Sequence, residues 1–455
     1  MKHNLLRKII MCLTTAALAL TAAGCASEAS AESTVTAEAA ASGDEPIELT
    51  FLHTHGGSAG EVINQLCEEY NQSTGGKVHV TPIYAEGDYE GVLEKLQAMT
   101  LSNDLPNISQ AGHHYAYFMT ENIPVVYAQD FIDEDGTDVS DFFPKMLDLG
   151  RDEEGNLAGI PFATSTSILY INKDMFEANG LDPEKDAPKT FDEMREIAKK
   201  LTKDGNYGLF IDYEITGNWE IQTMIEDMGG QMLSDDRSEV AFEPQMKQVL
   251  DYLNILVNED KSMPLMTSDQ GVEAFKAGKV GMYITTTASL KDFQNGSDFE
   301  VTTALHPNDG SGAKGAPVGG NSLYVLKSTP EEEQASWDFV KFMTSEEATT
   351  KIAQRIGYMV TRQSALDSEE MQSYLAENPA AAVTYEQVDY VTPWCNFPGG
   401  QGTKYVKVVQ DGILSVLNRQ STPAEAAQKM VDDCNAIISG RYYFRCEGLK
   451  RPSHY

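Results

Sequence analysis

Basic residues are scarce in this chain: 34 Lys and Arg stand against 69 Asp and Glu, a formal charge of −35. Binding to nucleic acid, or direct adhesion to an anionic bilayer, relies on clustered Lys and Arg, so the balance argues against both. Long hydrophobic runs are also missing, and after the first 20 residues no segment is apolar enough to span a membrane. Cysteine is sparse, six in 455 residues, with no metal-type spacing. Cys67 sits on the buried register of a predicted helix and is expected to be a core thiol. The spacing of Cys434 and Cys446 allows a disulfide, and nothing requires one. No internal repeat stands out.

What is present begins with location. Lys2, Arg7 and Lys8 precede an apolar run from Ile9 to Leu20, too short for a confident span, and Thr21-Ala22-Ala23-Gly24-Cys25 follows. That is a lipoprotein-type signal cut before Cys25, whose new N-terminus would be acylated. Ala22 stands where a larger aliphatic residue is usual, and the small residues also suit ordinary signal cleavage. Residues 1–24 are thus a leader, and residues 25–46, nearly all Ala, Ser, Glu, Thr and Gly, a flexible tether. The remainder is long enough for two or three domains of about 150 residues each.

The organising stretch is Gly159–Lys173. Pro161 cannot donate to a ladder and belongs on an edge. Exposed hydroxyls from Thr164 to Ser167 come next, then a buried strand over Ile168–Ile171, then a helix capped by Asn172 or Asp174 and closed by Gly180. The stretch reads as a seam between two lobes with its hydroxyls facing a cleft; an ordinary edge strand with a solvated Ser/Thr run is the alternative.

Upstream, 47–53 alternates as a strand, Glu61–Ser73 is a helix with Val62, Leu66 and Tyr70 on one face, and Lys77–Tyr84 is a second strand. Tyr89–Leu101 is a helix and Asn107–Gln110 a third strand. This alternation predicts a mostly parallel sheet with ligand-binding loops at 54–58, 86–89 and 110–115, beyond the carboxyl ends of the strands. Downstream, capping boxes open helices at Thr190 and Thr267. Strands follow at Tyr207–Tyr213 and Val280–Thr285, and Pro317–Ser322 leads into a strand at Leu323–Lys327. Gly319-Gly320 suits a second crossing between lobes. The last third is helical apart from the aromatic loop 391–402.

Phe51–Gly57, Ile160–Asp174, Leu181–Phe191, Phe275–Ser289, Gly319–Val325, Gly357–Thr361 and Gln420–Ala427, in this order behind a lipoprotein signal, resemble the extracellular solute-binding proteins of ATP-driven uptake systems. The likeness is to the carbohydrate-type group, near its glycerol-3-phosphate-binding and sugar-binding members. The resemblance implies a two-lobed α/β fold of the periplasmic-binding-protein type (type II), each lobe a mostly parallel sheet flanked by helices. The expected first lobe is 47–162 with 320–362, the second 163–319 with 363–440, and 441–455 is a tail. Closure would hinge near 161–163, 317–321 and 360–363. The implied function is capture of a sugar or oligosaccharide between the lobes for an ABC permease, without chemistry and without a cofactor, by a monomer anchored on the outer face of the bacterial cytoplasmic membrane.

Carried residue by residue, the implied ligand contacts are His53, Thr54, His55, Tyr84, Tyr89, Gln110, Ser165, Thr166, Trp219, Ser289, Gly320, Asn321, Tyr358 and Trp394. These are types that sugar recognition needs, since hydroxyls and amides bond sugar OH groups and aromatic faces cover the C–H face of a ring. Trp219, one of three tryptophans, is the leading candidate, with a core tryptophan as the alternative. Trp337, inside a predicted helix, is expected in the core. Where the glycerol-3-phosphate-binding relative carries an arginine, the segment 397–402 has no basic residue, which favours a neutral sugar over a phosphate ester. Two other readings compete. His53, His55, His113 and His114 lie in cleft loops and could bind metal, but no His-Glu-x-x-His pattern accompanies them. A glycosidase would need two carboxylates across the cleft, and among 69 acidic residues pairs such as Asp88 and Glu90 are uninformative.

Overall fold

The computed structural model describes residues 46–215 and 218–440. The leader, Cys25, nearly all of the tether, Thr216-Gly217, Cys446 and the tail lie outside the described residues.

Strands β1 (Ile47–His53), β2 (Val78–Tyr84) and β3 (Ile108–Gly112) run parallel, with β1 in the middle. The helix after β1 spans Gly57–Ser73, four residues longer at its start than the hydrophobic pattern indicates, and buries Val62, Leu66, Cys67 and Tyr70. Burial pushes the Cys67 thiol up to about 12, as befits an inert core position. The helix after β2 is Asp88–Ser102. Two strands later join this sheet, β4 (Val125–Val126) and β5 (Ile160–Ser165).

From Ser165 the chain crosses to the second lobe. There β6 (Ser167–Asn172), β7 (Tyr207–Ile211), β8 (Val280–Thr286) and β9 (Val301–Leu305) form a sheet in the order β7-β8-β6-β9. Its core includes Phe210 of β7 with Phe176, Phe275 and Phe293 from the helices, and the Phe275 and Phe293 ring centroids are 4.7 Å apart. Asn172 caps the next helix by accepting from Met175 N–H at 2.9 Å. Thr267 and Gln270 form a reciprocal capping box. At Thr190 the box is only half made: the hydroxyl accepts from Glu193 N–H, while the Glu193 carboxylate takes the N–H of Lys189.

The chain then returns along β10 (Pro317–Leu326), longer than expected because Gly319-Gly320 lies within the strand. β10 runs antiparallel to β3, β4 and β5, and pairs in parallel with β11 (Thr392–Pro393). In the second sheet only β7 and β8 are parallel. Both sheets are therefore mixed, where strand–helix alternation predicts mostly parallel ones. The cause is topological: strands arriving from the other lobe run against their neighbours. Pro161 sits on β5, whose one strand partner is β10, opposite Ser322 and next to a register shift between Asn321 and Ser322, an edge position where a missing N–H is tolerated. Trp337 is a core residue, stacked on Phe131 at 5.2 Å with its indole N–H donating to Asp135.

One expectation at the seam is overturned. Thr164, Ser165, Thr166 and Ser167 are all at most 3 % exposed. The segment around Met359 covers part of the run, bridging to Thr164 and accepting its hydroxyl at 3.2 Å, while Ser167 donates to the buried Glu220.

Candidate functional site

The loops beyond β1, β2 and β3 face the second lobe, and two spaces that share Asp88 in their linings lie between. The inner cavity, about 100 Å3, is walled by Tyr89, Trp219, Trp394 and Tyr358, with Ser165, Thr286, Ile215, Gly319 and Gly320 behind and Asp88 at its outer edge. The outer chamber, about 680 Å3, is lined by Thr54, Tyr84, Gly87, Asp88 and Glu90 from the first lobe. Glu214, Asp269, Thr403, Val406, Lys407 and Gln410 line it from the second. Asp88 belongs to both.

The aromatic walls come from both lobes. Trp219 opens the helix Trp219–Asp227, and its ring centroid lies 6.2 Å from that of Trp394. Trp394 stacks on His114 at 3.8 Å and meets Tyr89 edge-on at 6.5 Å. The Trp219 indole N–H donates to the Pro317 carbonyl at 2.8 Å, tying this helix to the crossing strand. Gly319 lets that contact form, because a Cβ there would lie 2.9 Å from the indole ring. The Tyr89 hydroxyl accepts from Asn321 Nδ2 at 3.1 Å and contacts Tyr358.

Around these walls sit buried polar atoms without partners among the described residues. They include His53 Nδ1, Thr54 Oγ1, His55 Nε2, Gln110 Nε2, Asn321 Oδ1 and both side-chain heteroatoms of Asn218. Such groups are costly unless something completes their hydrogen bonds. Gln110 also accepts from Thr54 N–H at 3.2 Å.

The histidines supply no positive charge. Burial lowers His53 to about 4, His113 to about 3 and His114 well below its ordinary value; burial and then His53 lower His55 to about 3. Their rings pack in the wall, His55 edge-on to Tyr358 at 5.7 Å and His53 6.1 Å from Tyr84. Among the described residues no three His, Cys, Asp or Glu side chains converge as metal ligands. The chamber is acidic. Asp88 keeps solvent access within the cleft, yet enclosure by its walls, then the charges on Glu90 and Asp269, pushes it up to about 6. Enclosure also raises Glu214. The loop 397–402 brings no cation; beside it, Arg237 donates to the Asn396 carbonyl at 2.5 Å and lies over the Tyr117 ring.

Of the residues named from sequence, Tyr89, Ser165, Trp219, Gly320, Tyr358 and Trp394 line the inner cavity, and Thr54 and Tyr84 the outer chamber. His53, His55, Gln110 and Asn321 are buried behind the walls. Thr166 points away from the cleft, its hydroxyl accepting from Gln387 Nε2 at 2.9 Å, because alternate residues of an extended segment face opposite sides. Ser289 closes a short helical turn and lines neither space; Thr286, at the end of β8, takes its place. Sequence reasoning placed Asp88 within a ligand-binding loop, 86–89, without singling it out, and missed Asp269 across the cleft, since nothing local separates either from other acidic side chains.

A buried ionic network supports the Trp219 helix. His306 Nε2 lies 2.8 Å from Glu220 Oε1, and Nδ1 lies 2.6 Å from Asp227 Oδ2. Ser167, at the seam, donates to Glu220 at 2.7 Å. Burial alone would lower the His306 pKa, but Glu220 and Asp227 outweigh it and raise it to about 10. A base raised on folding contributes stability fully below its unfolded value of about 6.5, and loses that contribution as pH rises through its folded value. Chemical denaturation across pH is therefore expected to show stability falling between these limits, and the part of the slope below the ordinary thiol range, where buried Cys67 does not yet contribute, should vanish in His306→Gln. That variant should also lose roughly 3–5 kcal/mol at neutral pH, because it leaves two buried carboxylates facing each other.

A family model described as bacterial extracellular solute-binding protein matches residues 65–381. The chain is 25 % identical to the sn-glycerol-3-phosphate-binding periplasmic protein UgpB of Pectobacterium atrosepticum over 415 residues, covering 86 % of this chain and 91 % of that one. The Escherichia coli protein of the same name is 26 % identical over 411 residues, covering 86 % and 92 %. Among solved structures, Mycobacterium tuberculosis UgpB in complex with glycerophosphocholine superposes with a TM-score of 0.77 at 20 % identity, covering 88 % of this chain and all of that one. The Listeria monocytogenes ABC substrate-binding protein Lmo0181 in complex with cycloalternan gives 0.76 at 20 % identity, covering 87 % and 99 %. At such identities these likenesses establish the two-lobed fold.

Proposed function

The chain belongs to the bacterial extracellular solute-binding protein family, and from that premise we propose that it captures a sugar or oligosaccharide between its lobes and delivers it to the permease of an ABC importer. The observation that carries this reading is the inner cavity, where Trp219, Trp394 and Tyr89 surround a small space whose lining also includes the hydroxyl residues Ser165, Thr286 and Tyr358. Flat rings cover the C–H face of a sugar, and lining hydroxyls hydrogen-bond its OH groups. No acid–base pair or nucleophile is invoked, because binding and release suffice. Ligand binding favours the closed state through its differential affinity, and the closed pair of lobes is what the permease meets. The hinge lies where β5 passes into β6, where β10 crosses, and near Val360–Gln363. The protein acts as an exported monomer held to the membrane through Cys25.

The relatives' names favour a second reading, glycerol-3-phosphate or a glycerophosphodiester. The chamber's acidity and the neutral histidines oppose a phosphomonoester. A thermal-shift screen of the leaderless protein against sugars and glycerol-3-phosphate separates the two, since a ligand at 100 times its Kd stabilises by about 2.7 kcal/mol. A sugar that shifts the transition should also compact the protein in solution scattering. A shift with glycerol-3-phosphate alone would replace the sugar reading by the second.

A further inference from the structure

We propose that the outer chamber is a second subsite of the same cleft, and that it takes the amine-bearing end of an elongated carbohydrate or polyol. The inference rests on the sugar-binding reading above. Three observations converge on it. Asp88 lines both the chamber and the inner cavity, so the two spaces adjoin at this residue and a ligand longer than one ring would reach the chamber by extending past it. Four carboxylates, Asp88 and Glu90 from the first lobe and Glu214 and Asp269 from the second, face one cation, Lys407, which pairs with Asp411 at 3.0 Å. The wall also offers an exposed aromatic side chain, Tyr84, at 49 % exposure.

Asp88 and Glu90 line the chamber from one side and Glu214 and Asp269 from the other, so like charges face each other across it. A neutral ligand leaves that repulsion in place, and an anion adds to it. An ammonium group removes it and is attracted to the Tyr84 face as well.

The test is titration calorimetry of the leaderless protein with matched disaccharide pairs, each neutral sugar beside its amino counterpart, for the glucose, galactose and mannose series. For the series that binds, the amino member is expected to bind about tenfold more tightly than its parent at low ionic strength. That advantage should shrink several-fold between about 20 mM and about 200 mM salt. The Glu214→Gln/Asp269→Asn double variant should reduce it as well. Equal or tighter binding of the neutral parent overturns the inference and leaves the sugar reading standing. Calcium alone binding with heat that the double variant abolishes would make the chamber a metal site and also overturn it. Binding by no member of any pair, with the protein folded by circular dichroism, removes the sugar reading and this inference with it.

Discussion

Trp219→Ala should weaken sugar binding by roughly 30-fold or more, the loss expected when an aromatic hot spot worth about 2 kcal/mol is truncated. The indole is 2 % exposed, lies against the Gly319 backbone, and forms the wall of the inner cavity opposite Tyr89. The same change should cost about 3–5 kcal/mol of stability, because it empties a buried site and removes the bond to Pro317. Stability and affinity must therefore be read separately, by denaturation and by calorimetry. Trp219→Phe separates them further: it keeps a flat face but loses the N–H donor, so affinity should fall only several-fold. A folded Trp219→Ala protein that binds its sugar within about twofold of the parent would end the stacking role.

Gly320→Ala is expected to destabilise the protein by about 4 kcal/mol, from backbone strain and a clash that cannot relax. Gly320 has φ +104°, and a Cβ there would stand 1.9 Å from the Ala163 carbonyl oxygen. Neither strand can retreat, because β5 and β10 are paired at this point, with Gly320 opposite Thr164. The control is Gly155→Ala. Gly155 has φ +90° but nothing within 4 Å of its Cβ position, so only the conformational cost of about 1 kcal/mol applies. Urea denaturation of the two variants compares clash plus strain with strain alone. Equal losses would mean the crossing strands yield easily, and the hinge would then be softer than the paired strands imply.

How much could be read in advance differs by level. Local features were legible wherever one residue decides a local geometry. Asn172 and the Thr267–Gln270 box mark helix starts because a side-chain oxygen there meets an otherwise unpaired N–H. Pro161 marks an edge because it has no N–H to give, and Gly319-Gly320 marks a close crossing because only glycine fits there. Strand–helix alternation and the ordered resemblance pointed to the two-lobed α/β architecture and to a cleft at the carboxyl ends of β1 to β3.

Strand direction, exposure and the far wall of the cleft were left to tertiary structure. The direction in which β10 runs depends on the lobe it returns from, so the mixed sheets carried no local signal. Ser165 and Thr166 are neighbours of similar chemistry, yet one lines the cavity and the other bonds Gln387, because an extended chain alternates its faces. Exposure of the hydroxyl run could not be judged from its polarity, since the segment that covers part of it, around Met359, arrives almost 200 positions later. The acidic chamber is the plainest case. Asp88 and Asp269 acquire their role only when two lobes bring them face to face, and charge proximity across a cleft is a property of the folded chain.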